Sequence, residues 1–494
     1  MDRNILIKKY FEQHSLVESN INSFNTFVEK GLQSIIEELG EIIPTIIPPN
    51  VKDFKIKFDK LWVKKPQVTE ADGSKRDIYP IEARLRKITY SAPIYLEVSV
   101  YIDGIQRENF VANIGKLPIM VKSKYCHLHN LKRADLIKYG EDPGDPGGYF
   151  ILNGNERVLI TVEDLASNRF FIEKTSVGPS EYVGKIFSER YAYRIPHFIE
   201  QMKDGIMYLT FTRFRRISII SIIKALGLVS DQKIIQTISE DEVFDDVLIN
   251  LLSSEGLKTE EDALEEVGKK IGINQPKDIK LEKTRENLDR YLLPHLGIES
   301  KDRLVKAQNL CKMIKKFLIT SREGLVVDKD HYRNKRLKLS GDLLIELFRV
   351  NMRALVNDLL YNFQRLVKRG KFTSTKIIIR DKLLTQRIKS AMATGTWIGG
   401  RKGVSQNIDR TNFLASLSHL QRIVSLLSSS QENFNARALH STHWGRLCPI
   451  ETPEGTSIGL RKNLAVLCNI TQDTIPSEKV KKILEDIGLK TKND

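Results

Sequence analysis

Two incompatible periodicities meet near residue 165. Residues 51–120 alternate apolar and polar positions, as in FKIKFDKLWVKK and PIYLEVSVYIDGIQRENFVANIG, which read as strands. The second is a hairpin turning at Asp103-Gly104. Beyond residue 165 the texture is mostly helical. DDVLINLLSSEG and TEEDALEEVGKKIG fit short helices, the latter with a Thr259…Asp262 capping box, and RLVKAQNLCKMIKKFLI (303–319) closes the module. A period of two and a period of 3.6 cannot share one layer. The fold class expected is therefore α+β and multidomain, with mixed sheets and helices and a mostly helical module.

Helices flank the strands. SFNTFVEKGLQSIIEELG (23–40) puts Phe24, Phe27, Val28, Leu32, Ile35, Ile36 and Leu39 on one face, with Gly40 as a stop. DLLIELFRVNMRALVNDLLYNFQRLVKRG (342–370) is one long amphipathic helix ending at Gly370. GEDPGDPGGYF (140–150) is turn and loop, with Asp142 and Asp145 as turn residues. Near the end, KNLAVLCNI (462–470) reads as a strand and PSEKVKKILEDIG (476–488) as a helix capped by Ser477. One strand and one helix bury little surface, so the domain begun there is expected to be completed by another chain.

At 494 residues there is room for about three domains. No run reaches the ~18 uncharged apolar residues of a membrane span, because ISIISIIKALGLV (217–229) is interrupted by Lys224. The start lacks the apolar core of a signal peptide, and a cytoplasmic protein is expected. Cys126, Cys311, Cys448 and Cys468 form no CxxC pair, which suits reduced thiols. Net charge is +16, and it is unevenly placed. Tyr361–Lys402 holds 11 Lys/Arg against one acid, whereas Glu240–Glu266 holds 11 acids against one base. Two such blocks are either solvated helix faces or a polyanion-facing part and a part turned elsewhere.

Candidate chemistry concentrates in LHSTHWGRLCPIETPEGTSIGL (439–460). His440, His443, Cys448 and Glu451 are metal-ligand types, but Trp444, Gly445, Pro449 and Pro453 break the helix that a zincin pattern needs. Asp328 and Asp330 are flanked by Lys329, Arg333, Lys335, Arg336 and Lys338, which favours a salt-bridged loop over a Mg²⁺ site. No Walker A, GxGxxG or GxSxG sequence occurs, so no catalytic residue and no metal ligand is assigned. RKGVSQNIDRTNFLASLSHLQR (401–422) instead mixes Arg401, Lys402, Arg410 and Arg422 with Gln406, Asn407 and Asn412, groups that bond phosphates, sugars and base edges.

GVSQNIDRTNFLASLSHLQRI followed by LHSTHWGRLCPIETPEGTSIGLRKNL resembles the fork region in the second-largest subunit of multisubunit DNA-directed RNA polymerases. YPIEARLRKITYSAPIYLEV (79–98), GKLPIMVKSKYCHL (115–128), DPGGYFILNGNERVLI (145–160) and DKDHYRNKRLKLSGDLLIELFR (328–349) fall in that family's order. HSTHWG and SLSHL look archaeal or eukaryotic more than bacterial. The resemblance covers the family's N-terminal half and matches its split form, in which two polypeptides replace one. It implies an N-terminal arm (1–20), a protrusion (20–165 and 325–385), a lobe (165–325) that is a mostly helical insert, a fork (385–455) that is an irregular α/β region, and the start of an external domain (455–494).

The activity implied is templated RNA synthesis from NTPs. Mg²⁺ belongs to the assembled active site, with its ligands in the largest subunit and no cofactor bound by this chain. Implied partners are the DNA template, the RNA–DNA hybrid, the C-terminal half of the same subunit, the largest subunit and smaller subunits. By similarity, Gln406, Asp409, His419 and Arg422 face the hybrid. Thr411, Phe413 and Leu420 depart from bacterial forms, which puts a bacterial-type inhibitor site in doubt. LLSSSQENFNAR (426–437) looks like the flexible fork loop, and ETPEG is a proline-stiffened loop whose turn Pro453 and Gly455 set. Glu451, Pro453 and Glu454 line the path, Arg437, Arg446 and Arg461 reach phosphate, and His440, His443 and Trp444 brace the loop. The competing readings are a stand-alone single-stranded nucleic-acid-binding protein and, on Asp328 and Asp330, a metal-dependent nuclease.

Overall fold

The alternating segments form a twisted antiparallel sheet. Strand Phe54–Val63 pairs with Ser91–Ile102, which turns back into Ile105–Pro118. The turn lies at Asp103 and Gly104, both left-handed (φ 52° and 78°), so Ile102 faces Ile105 across a two-residue connection. In this computed structural model the described residues are 3–49, 51–175, 178–190, 193–239, 244–324, 326–370, 374–471 and 477–489. They divide into two compact units, residues 1–164 with 337–494, and residues 165–336.

In the first unit, helices Glu18–Thr26 and Leu32–Leu39 join through a π-helical turn, Phe27–Gly31. They bury Phe24, Phe27, Leu32, Ile35 and Ile36, the face read from the sequence. Gly40 (φ 61°) ends the run. Helix Ser340–Lys368 packs on both helices. The approach is closest at Gly341, where a Cβ would lie 2.1 Å from the Ser23 carbonyl oxygen. Arg349 clamps the Glu38 carboxylate with two bonds of 2.8 and 2.7 Å. The Trp397 indole N–H donates to the Leu343 carbonyl at 3.0 Å.

Two small sheets continue this unit. Strand Asn155–Leu159 pairs antiparallel with Phe150–Leu152 and with Ser405–Asn407. Strand Arg422–Ser425 runs parallel to Thr161–Leu165 and antiparallel to Arg461–Asn463. Segments about 250 residues apart in sequence thus meet in one sheet. The strand expected over 462–470 is confined to Arg461–Asn463. Beyond it Val466 and Leu467 are exposed, and without neighbours to pair with, extended residues do not form a stable ladder. A helix follows at Ser477–Asp486. The N-terminal arm is a helix, Arg3–Gln13.

Residues 165–336 open with a five-stranded antiparallel meander, Phe170–Lys174, Tyr182–Arg190, Tyr193–Gln201, Met207–Phe211 and Phe214–Ser218. The sequence reading did not resolve this sheet. Helices follow, ending with Arg303–Glu323. Within the acidic block, Asp245 and Asp246 head one helix, and Glu260, Glu261 and Asp262 head another, where the helix dipole favours them. Thr259 and Asp262 form the expected reciprocal cap. Glu240, Asp241 and Glu242 lie outside the described residues, as do Lys371 of the basic block and the closing 491–494. The Ala166 N–H donates to the Asn334 carbonyl at 2.8 Å, so the two ends of the unit lie side by side. Asp330 pairs with Lys335 at 3.4 Å, the salt-bridged reading of that loop. Among the described residues no helix is long and apolar enough to cross a membrane.

The contact at Gly341 yields a test. Gly341→Ala should lower the unfolding free energy by about 1–3 kcal/mol through overpacking against backbone, read as a lower denaturant midpoint. An unchanged midpoint would show that the two helices separate freely.

Candidate nucleic-acid interface

Asn412 starts the helix Phe413–Leu420 by accepting the Ala415 N–H at 2.7 Å, and Asp409 shapes the preceding turn. The Asp409 carboxylate accepts the Thr411 N–H and hydroxyl at 2.9 and 2.7 Å, and these bonds hold its carboxyl below the usual range. His419, in the last turn, closes the loop from the other side. Its Nδ1 accepts the Asp409 N–H at 3.0 Å, which leaves the proton on Nε2 to be donated to Gln406 Oε1 at 3.1 Å. Gln406 Nε2 in turn donates to the Gly403 carbonyl at 3.0 Å. Burial, then the charge of Arg422, push the His419 imidazole down to about 4, so it is neutral at pH 7. Gln406, Asp409 and His419 therefore form one hydrogen-bonded unit.

Arg422 and Arg461 lie diagonally on the same face of adjacent strands, Arg422 opposite Asn463 and Arg461 opposite Val424. They line a cavity of about 380 Å³ with Ile450, Glu451, Thr452, Pro453 and Asn463. Burial and then the charge of Arg461 lower the Arg422 guanidinium from its ordinary value, and Glu451 and Asp409 offset this only in part. The site holds two like charges together, an arrangement that an anion relieves.

The ETPEG loop forms the cavity's rim. Thr452 Oγ1 donates to the Arg461 carbonyl at 3.0 Å and accepts the Gly459 N–H at 2.9 Å, which closes the loop on itself. Glu451 accepts a bond from the Ser418 hydroxyl, while Glu454 is exposed. Arg437, expected to reach phosphate, does something else. Its guanidinium donates to four backbone carbonyls, Thr456 (2.7 Å), Ile458 (3.1 Å), Ser429 (2.9 Å) and Gln431 (3.1 Å), and so ties the 426–437 loop to the ETPEG loop. Gly459 (φ 72°) permits this, since a Cβ there would stand 2.2 Å from the Arg437 carbonyl oxygen.

His440 Nδ1 accepts the Thr442 N–H at 3.2 Å, and the buried His443 receives the His440 N–H at 3.4 Å, as bracing requires. Trp444 does not brace the loop; it is 63% exposed. Arg446 is exposed and donates one bond to the Thr442 carbonyl.

The remaining cations divide in the same way. Lys402 is exposed. Arg401 is held by Glu346 at 3.3 Å and Asp164 at 3.7 Å. Arg410 bonds Glu156 at 2.7 Å and Asp145 at 3.3 Å and lies over the Tyr149 ring. Arg84 grips the other Glu156 oxygen at 2.7 Å together with Glu141 and the Tyr149 hydroxyl. Sequence reasoning missed Arg84 and Tyr149, which anchor Arg410; the adjacent DPGGYF motif was the available signal.

Comparison with known proteins agrees with this architecture. A family model described as "RNA polymerase beta subunit" matches residues 15–386, and one described as "RNA polymerase Rpb2, domain 3" matches residues 406–470. The chain is 44% identical to DNA-directed RNA polymerase subunit Rpo2N of Methanocaldococcus jannaschii, over 98% of both chains. The corresponding Rpo2N of Methanococcus vannielii is 42% identical over 99% of both. The chain belongs to the RNA polymerase beta-subunit family. Against Rpo2 of Saccharolobus solfataricus, 42% identical, this beta-family chain spans 98% of its own length and 43% of the relative's. The beta-family match supports the fork resemblance over a stand-alone binding protein.

Two outcomes are expected here. Burial and then the charge of Arg422 hold the folded pKa of His419 below its unfolded one, and protonation would also set an N–H against the Asp409 N–H. The stabilisation is present above pH ~6.5 and is lost as pH falls towards 4. Nitrogen NMR of the imidazole should show a neutral Nε2–H ring at pH 5.5; titration near 6.5 would overturn the tautomer. Elemental analysis should find no stoichiometric zinc, and one tightly held equivalent would reassign His440 and His443.

Proposed function

We propose that this chain forms the protrusion, lobe and fork of a DNA-directed RNA polymerase, lining the path of the DNA template and the RNA–DNA hybrid during RNA synthesis from NTPs. The supporting observation is the cavity shared by Arg422 and Arg461 beside the stiffened ETPEG loop. A nucleic-acid backbone offers regularly spaced negative charge, and two guanidinium groups on one sheet face meet it without reorganising. Gln406 and His419 lock each other in one orientation, so the surface beside the cavity is rigid.

Strand separation costs about 1.4 kcal/mol per base step and is nearly returned by the new hybrid. Contacts of modest strength at a fixed place therefore decide where strands part. Positioning is the role assigned to this chain. Mg²⁺ in the assembled enzyme would be held by the largest subunit and would supply activation of the attacking oxygen and stabilisation of the leaving group. Among the described residues no group of three His, Cys, Asp or Glu could hold a metal, and no step is assigned to one here. Partners in the assembly are the largest subunit, the C-terminal half of this subunit and smaller subunits, in the cytoplasm.

Arg422 and Arg437 separate contact from scaffolding. In reconstituted polymerase, Arg422→Ala should slow transcript extension, weaken open complexes and reduce the salt slope of DNA binding by about one. Arg437→Ala should also slow extension, but with the salt slope unchanged and faster proteolysis within 426–437. Wild-type extension and salt dependence in Arg422→Ala would reject the backbone contact.

A further inference from the structure

A second cationic cavity shares no lining residue with the Arg422–Arg461 cleft. It measures about 310 Å³ and is bordered by Lys87, Lys116 and Lys389, with Thr385 and Asn153 among its polar groups and Ile88 among its apolar ones. No aspartate or glutamate lines it. Lys116 and Lys389 are half-buried, whereas Arg401, Arg410 and Lys335, also half-buried or nearly so, are matched by carboxylates.

The lysines are held in place by specific backbone features. Lys87 has φ 52°, a left-handed conformation that costs a non-glycine residue about 1–2 kcal/mol. It is pinned there, because Gly154 (φ 80°) sits so close that a Cβ would lie 2.8 Å from the Lys87 Cα. Gly115 brings its strand onto the helix Asp381–Thr394, where a Cβ would meet Thr385 Oγ1 at 2.9 Å. The next residue, Lys116, donates its N–H to Thr385 Oγ1 at 2.9 Å. Lys389 follows Thr385 by one helical turn and so shares its face. Three separate elements thus bring lysines to the border of one recess.

We propose that this cavity binds a phosphate-bearing ligand, with the three lysines neutralising its charge and the Asn153 amide bonding its oxygens. Free oligophosphate and the backbone of a nucleic-acid strand present the same chemistry, and the test distinguishes them. The full chain is titrated calorimetrically with inorganic tripolyphosphate at low salt, alone and in the presence of short duplex DNA. Lys116→Gln/Lys389→Gln should weaken tripolyphosphate binding about tenfold, while the charge-matched Lys8→Gln/Lys9→Gln, on the exposed arm helix, leaves it unchanged. Displacement by duplex that is lost in the cavity variant identifies a strand backbone; tripolyphosphate binding indifferent to duplex identifies a free oligophosphate. If the double variant melts early, Lys87→Gln, at an exposed side chain, decides instead through a severalfold loss. Equal loss in cavity and control variants, or no saturable binding, overturns the proposal.

Discussion

A buried ion pair registers the sheet on which the candidate interface stands. The Lys462 ammonium lies 3.1 and 3.2 Å from the two oxygens of Glu163, and both side chains are almost wholly out of solvent. Such a pair adds little net stability over well-packed apolar groups, yet removing one partner strands a charge at a cost of about 3–5 kcal/mol. It therefore acts on register more than on stability. Strand alternation sends Lys462 inward and its neighbours Arg461 and Asn463 to the opposite face, where Arg422 also stands. A slip by one residue would bury the arginines and expose the lysine.

Five arginines between residues 401 and 461 are treated in three ways. Arg401 and Arg410 meet carboxylates, Arg437 meets backbone carbonyls, and Arg422 and Arg461 are left facing each other across a cavity. The last arrangement keeps charge available to a polyanion, as do the exposed Lys402 and Arg446. The first two make the surroundings stiff, so the available charge does not move with the loops. The neutral His419 belongs to the same scheme, since its role as acceptor for Asp409 would end if it carried a proton.

Local pattern made much of the fold legible. The hairpin at Asp103-Gly104, the helix ending near Gly370 and the cap at Thr259 depend on residues a few positions apart, and each is where its pattern placed it. The meander over 170–218 has the right alternation, but strands such as Tyr182–Arg190 carry charges that weaken the signal. The site divides along the same line. Gln406, Asp409 and His419 lie within 13 residues and are joined by hydrogen bonds. The fates of Arg401 and Arg410 were hidden, because Glu346 and Glu156 stand 55 and 254 residues away. Sequence displays a charge but not the partner that folding assigns to it.

The bond from Ala166 to Asn334 bears on how such a chain tolerates change. A segment whose entrance and exit touch can grow, shrink or be exchanged while the chain on either side keeps its own ends in register, since the closure entropy of a loop rises only slowly with its length. Residues 165–336 are thus closed on themselves where they begin and end.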